Sequence, residues 1–230
     1  MSRALLVALI TALPAALSAQ PYIGVTGPHR GTVEVGGGGV WTGGYDAGSA
    51  VAALTRPAGT TPLTLFAVDG RVLGAPGAGV QIGIFLGRRV SAEATFQYGR
   101  PILRARVTSD FESAPETTAD GTMTSYLVGG SLLYHFGGGR FVPFVSGGGG
   151  YLRQLHEANA ELLTGTEMHA GGGLKYWLGT GRRRFGLRAG AEASVRSKSV
   201  AFEQKRRIIP SVTAGLSYQF SRRPSSRFPS

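Results

Sequence analysis

Apolar residues recur at every second position in eight separate runs of this chain, and no stretch after the first twenty residues is continuously apolar over the length a membrane-spanning helix needs. The last run is the clearest. Val212, Ala214, Leu216, Tyr218 and Phe220 alternate with Thr213, Gly215, Ser217 and Gln219. Side chains of an extended strand point alternately to its two faces, so this run has one apolar face and one polar face. Eight such runs predict an all-β protein, and the remaining question is which face looks inward.

The eight predicted strands are about residues 31–41, 77–86, 90–99, 124–136, 141–152, 166–178, 184–196 and 210–220. Their connections alternate long and short. Segments 42–76 and 100–123 read as long loops and 153–165 as a medium one, each followed by a strand that leads into a short turn, at Gly87–Arg89, Gly137–Arg140 and Gly179–Arg183 in that order; the loop 197–209 leads into the last strand. An antiparallel up-and-down transmembrane barrel predicts this rhythm, with short turns on the periplasmic rim, longer loops outside, and both termini periplasmic. A β-sandwich does not require it.

One face carries Val80, Ile82, Ile84 and Leu86, then Val90, Phe96 and Tyr98, then Tyr126, Val128, Leu132 and Tyr134, then Met168, Leu174 and Tyr176, then Phe185, Leu187 and Val195. The other carries Glu34, Gln81, Glu93, Thr95, Gln97, Ser131, His135, Glu167, His169, Lys175, Arg188, Glu192, Ser194 and Arg196. The fifth run, with Gly147 to Gly150, shows no polar–apolar contrast. A soluble lipocalin-like barrel would turn the apolar face inward. Two features favour the inverse. Aromatics gather at strand ends, with Trp41, Tyr98, Tyr126 and Tyr151 near the long-loop rim and Phe136, Phe141, Phe185, Tyr218 and Phe220 near the other, as membrane interfaces require. The apolar face is also rich in alanine, which fills a soluble core poorly.

Residues 1–19 read as a cleaved signal peptide: Arg3, an apolar stretch Ala4 to Leu13, Pro14, then small residues to Ala19. That leaves a barrel domain 20–220 and a basic tail 221–230. There are no cysteines, so neither lipid attachment at a cysteine nor a disulfide is available. The net charge of +11 raises the possibility of a nucleic-acid partner. Its placement argues against one: Arg88, Arg89, Arg140 and Arg182 to Arg184 fall in or beside tight turns, Lys205 to Arg207 in a loop, and Arg222, Arg223 and Arg227 in the tail.

Three segments carry a resemblance. They are Pro143-Phe-Val-Ser-Gly-Gly-Gly-Gly-Tyr151, Gly171-Gly-Gly-Leu-Lys-Tyr-Trp177 and Gly215-Leu-Ser-Tyr-Gln-Phe220. Through them the chain resembles the small outer-membrane β-barrel domain proteins of OmpA, OmpW and OmpX type. The resemblance implies an eight-stranded outer-membrane barrel, lipid and lipopolysaccharide as surroundings, and the barrel assembly machinery as a partner. It also implies a C-terminal sorting strand, here Leu216, Tyr218 and Phe220. This chain departs from the pattern in carrying ten residues after Phe220 and no peptidoglycan-binding domain after the barrel. A monomer is expected.

Little in the sequence suggests catalysis. The clusters Gly36–Gly39, Gly147–Gly150 and Gly171–Gly173 lack the G-x-x-x-x-G-K-[ST] pattern of a phosphate loop and suit strand curvature instead. His29, His135, His156 and His169 show no zinc spacing, and no cofactor or metal is expected. His156 beside Glu157 is the one acid–base pair to weigh, and a barrel enzyme acting on lipid A or phospholipid is the alternative it represents. The wet face offers more. Glu34, Glu93, Glu167, Lys175, Arg188, Glu192 and Arg196 would meet inside a barrel just wide enough to be filled by side chains. Their pairing between neighbouring strands, as a plug or as a narrow conduit, is the candidate site. The expected function is non-enzymatic: envelope integrity, surface interaction or limited permeation of small solutes.

Overall fold

The computed structural model describes residues 27–54, 63–108, 115–156, 161–178, 183–197 and 207–220; the signal segment, Glu157 and the tail lie outside these. Eleven strands are present: β1 (Val33–Thr42), β2 (Tyr45–Leu54), β3 (Leu63–Val72), β4 (Ala75–Phe85), β5 (Val90–Gly99), β6 (Ile102–Thr108), β7 (Thr117–His135), β8 (Phe141–His156), β9 (Glu161–Trp177), β10 (Arg183–Ser197) and β11 (Arg207–Phe220). No helix occurs among the described residues.

Eight of these strands close a barrel in the order β1-β4-β5-β7-β8-β9-β10-β11, with β11 returning to β1 and every pairing antiparallel. They are the eight runs read from the sequence, each within a few residues except at the ends of β7, β8 and β9, which reach further toward the long-connection rim. Val33 pairs with Phe220, so the first strand begins and the last strand ends at the rim that also carries the short turns.

The long connections are not loops, which corrects the sequence reading. Segment 42–76 contains β2 and β3, and segment 100–123 contains β6 and the first part of β7. β3 pairs with β2 on one side and β6 on the other, and β6 pairs with Thr117–Thr122 of β7. A four-stranded sheet thus stands above the barrel as a continuation of β1, β4, β5 and β7. Gly43-Gly44, Leu73-Gly74 and Arg100-Pro101 interrupt the first three of those strands at the same level. A bulge follows between Asp46 and Gly48, where Gly48 has φ of 90° and its N–H donates to Asp46 Oδ1 at 2.9 Å. β2 is largely Ala, Gly and Ser, so its alternation lacks the contrast that betrays a half-buried strand.

The apolar face is outside. Val80, Ile82, Val128, Leu132, Leu187, Val212 and Leu216 are all exposed, and Met168 keeps 75% of its surface. A belt of this size around a polar interior excludes a soluble barrel with an apolar cavity and suits hydrocarbon. Trp41, Tyr98, Tyr126 and Tyr151 are exposed at one edge of the belt; Phe136, Phe141, Phe185 and Phe220 at the other. Neighbouring rings touch within each girdle, as in Tyr98–Tyr126 (5.4 Å between centroids) and Phe185–Tyr218 (5.1 Å). Both aromatic groupings therefore fall where the sequence put them.

Candidate functional site

The polar positions of the eight strands converge in the lumen, where they form stacked layers. Nearest the short turns, Arg184 donates to Gln219 Oε1 from Nε (3.0 Å) and Nη2 (2.5 Å), with its guanidinium 5.0 Å from the Trp177 ring centre. His135 Nε2 lies 2.9 Å from Ser91 Oγ, and its ring stacks on Phe85 at 5.0 Å.

The middle layer is the densest. Lys175 Nζ donates to Glu34 Oε2 at 2.9 Å and lies 2.7 Å from the other carboxylate oxygen. Lys175 and Glu34 are only 2% and 3% exposed. Arg188 grips Glu93 with both terminal nitrogens, at 2.6 and 2.9 Å. The Phe144 ring receives both cations, Lys175 Nζ at 5.4 Å and the Arg188 guanidinium carbon at 4.9 Å from its centre. Gly173 makes this possible. A Cβ there would come 2.7 Å from Phe144 Cζ and press on the Ala189 carbonyl.

Further up, Arg196 Nε donates to Glu167 Oε2 at 2.5 Å, and Ser131 Oγ lies 2.7 Å from His169 Nε2. Glu192 accepts a long hydrogen bond from Ser146 Oγ at 3.4 Å. At the outer mouth the polar layers give way to an apolar cluster of Tyr45, Val72, Met123 and Ile209, with Leu103 against it.

All seven candidate charges therefore face the lumen. Arg196 and Glu167 pair between adjacent strands, as the sequence reading expects. The other two pairs correct it. Lys175 on β9 reaches Glu34 on β1, and Arg188 on β10 reaches Glu93 on β5, which stands diametrically opposite in the eight-strand order. Each is a strut across the barrel rather than a rung along its wall. Glu192 stands apart and forms no ion pair among the described residues.

Several contributors were invisible in the sequence or misplaced. Arg184, the first residue of its predicted strand and counted among the charges in or beside turns, is buried in the lumen; carrying the alternation back from the outward Phe185 places it inside. Phe144 lies in the run without contrast, because Phe141 and Val145 outside and Val142 and Phe144 inside are all apolar. His156 is the last residue of β8, its backbone in register with Glu161, while its proposed companion Glu157 lies outside the described residues. On β11, Leu216 and Phe220 face outward, and the Tyr218 ring lies 6.0 Å from that of Phe220.

Inside, Glu34, Glu93, Glu167 and Glu192 face Lys175, Arg184, Arg188 and Arg196, and Arg207 on β11 stands in register with Arg196 at the outer mouth. The space left is small. The cavity beside Glu93, Arg188 and Glu192 measures about 50 Å³, one near Gln97 and Gln154 about 40 Å³, and one beneath Lys175 about 10 Å³. By volume these hold roughly one to four waters each.

No family model and no curated protein matches the chain. Solved structures do. The outer membrane protein OprG of Pseudomonas aeruginosa aligns at a TM-score of 0.53 and 12% identity, over 86% of this chain and all of that one. The N-terminal β-barrel domain of Pseudomonas aeruginosa OprF aligns at 0.42 and 16%, over 84% of this chain and all of that one, and the attachment invasion locus protein Ail of Yersinia pestis at 0.43 and 12%, over 83% and 99%. The fold shared with OprG is the small outer-membrane β-barrel. With its apolar belt, paired aromatic girdles and polar interior, this chain is an outer-membrane β-barrel protein.

Proposed function

We propose that this protein is a plugged, non-enzymatic barrel that anchors a four-stranded sheet at the cell surface for interaction, and that it is not a diffusion pore. The pair of struts across the lumen carries this reading. Arg188–Glu93 and Lys175–Glu34 both reach Phe144, so the cross-section is filled by side chains whose separation would strand buried charges. Above the plug, the outward face of the sheet bears a charged row in register: Asp46 on β2, Arg71 on β3, Arg104 on β6 and Asp120 on β7. Arg104 holds Asp120 through two bonds of 2.8 Å, and Arg106 pairs with Glu116. A rigid, charged surface of this kind suits recognition.

The enzyme alternative has one geometric candidate. Ser131, His169 and Glu167 lie in sequence like a nucleophile, a base and its orienter. His169 Nδ1 is 3.9 Å from Glu167, beyond a hydrogen bond, Arg196 already occupies that carboxylate, and the adjacent cavity of about 50 Å³ admits no ester. Proteoliposomes carrying the protein should therefore fail to swell in small sugars, and deletion of its gene should leave the lipid A and phospholipid mass spectra unchanged. Sugar uptake at porin rates overturns the plug, and a lost lipid modification overturns the non-enzymatic reading.

A further inference from the structure

On the outward face of the barrel wall, level with the aromatic girdle of the long-connection rim, stands a charged side chain, Arg153 of β8. The next outward positions along β8 are Tyr151 and Leu155, both exposed and apolar in body. Arg153 is in register with Tyr126 on β7 and Thr164 on β9. Tyr126, Arg153, Leu155 and Leu162 line a shallow depression of about 360 Å³ on the exterior. Lys175, Arg184, Arg188 and Arg196 turn inward to a carboxylate or an amide; Arg153 faces outward, with Tyr126, Tyr151 and Leu155 around it and Thr164 opposite on β9.

Arginine on the lipid face of a barrel costs ~2–4 kcal/mol at the bilayer midplane and close to nothing at the interface. Tyr126 and Tyr151 fix Arg153 at the interface on the long-connection side, which is the outer leaflet in a barrel of this topology. Phosphate groups of lipid headgroups lie at that level, and a guanidinium binds phosphate through two parallel hydrogen bonds. The apolar walls decide between a lipid and a free ion. Inorganic phosphate would gain one cation and lose water against Tyr126, Leu155 and Leu162, whereas an amphiphile places its phosphate on Arg153 and its apolar part along the same wall.

We propose that the depression around Arg153 is a binding site for a phosphate-bearing lipid of the outer leaflet. The site is independent of whether the lumen conducts. Diphosphoryl lipid A, its dephosphorylated form and inorganic phosphate are the probes, added to the detergent-solubilised full barrel and read by native mass spectrometry. Wild type should retain diphosphoryl lipid A in preference to the dephosphorylated form, and millimolar inorganic phosphate should not displace it. Arg153→Gln should weaken retention about fivefold, which corresponds to the ~1 kcal/mol of one basic side chain at an anionic lipid surface. Arg153→Lys should keep most of it, and Arg88→Gln, a change at an exposed arginine of a short turn on the opposite rim, should keep all. Heat-shifted gel mobility confirms that each variant is folded. Equal retention by wild type and Arg153→Gln, indifference to the lipid's phosphates, or displacement by inorganic phosphate would each overturn the proposal.

Discussion

Arg188 is the strut whose removal tests the lumen most sharply. Both terminal nitrogens bind Glu93, and the guanidinium also faces Phe144. In Arg188→Ala, Glu93 keeps its buried position and loses its partner, because Lys175, the other cation of that layer, is held by Glu34. Breaking a fully buried pair in this way costs ~3–5 kcal/mol. The cavity of about 50 Å³ beside the pair would enlarge and admit water to the carboxylate, so a loss of about 2–3 kcal/mol is expected. Urea denaturation of the refolded barrel in lipid vesicles measures it, with heat-shifted mobility as one signal. Tryptophan fluorescence is the other, since Trp177 sits in the lumen and Trp41 on the lipid side. A cycle with Glu93→Ala separates the pair from its surroundings: the double variant should recover about 1–3 kcal/mol relative to the sum of the singles. Additive losses, or an unchanged midpoint in Arg188→Ala, would refute a strut at this position.

Other consequences follow from single contacts. Glu192→Gln should cost less than about 1 kcal/mol, since its one described hydrogen bond is long; a loss matching Arg188→Ala would mean a partner has been misassigned. Gly173→Ala drives a methyl into the Phe144 ring and the Ala189 carbonyl and should cost about 1–3 kcal/mol in the same denaturation assay, while Gly147→Ala, with open space around it, should be neutral. Phe220→Ala should slow insertion into vesicles while deletion of 221–230 does not, read as the rate at which the heat-shifted form appears. In the outer sheet, the Arg104 guanidinium holds the Asp120 carboxyl below its usual range, chiefly through their hydrogen bonds. A lowered carboxyl stabilises above its ordinary value and loses that contribution as the pH falls through the lowered one. Arg104→Ala should hence speed proteolysis of the sheet at neutral pH and make no difference in strong acid, with the barrel itself unaffected.

The barrel was legible in the sequence because its two environments differ so strongly. Val80, Ile82 and Ile84 against Gln81, or Leu187 and Ala189 against Arg188, leave no doubt about period two, and each contrast reappears as outside against inside. Legibility failed wherever that contrast fades. β2 reads Asp46-Ala-Gly-Ser-Ala-Val-Ala-Ala53, a strand made of small residues, and its neighbours are punctuated by glycine and proline, so a four-stranded sheet passed for two loops. The lumen charges were identifiable by face, yet their partners were not. Strand order gives neighbours along the wall, whereas side chains as long as Lys175 and Arg188 cross a narrow barrel and choose partners three and four strands away. Phe144, which organises both cations, carried no signal at all, because apolar residues flank it on either face.

The central claim is that side chains close the lumen of this barrel, and ion conductance tests it directly. Wild-type protein inserted into a planar bilayer at neutral pH should show no steady open-channel level. The doubly severed Glu93→Ala, Lys175→Ala variant, which removes one member of each strut, should show discrete openings wherever it remains inserted. A stable porin-like conductance from the wild type, unaltered by severing both struts, would contradict the account.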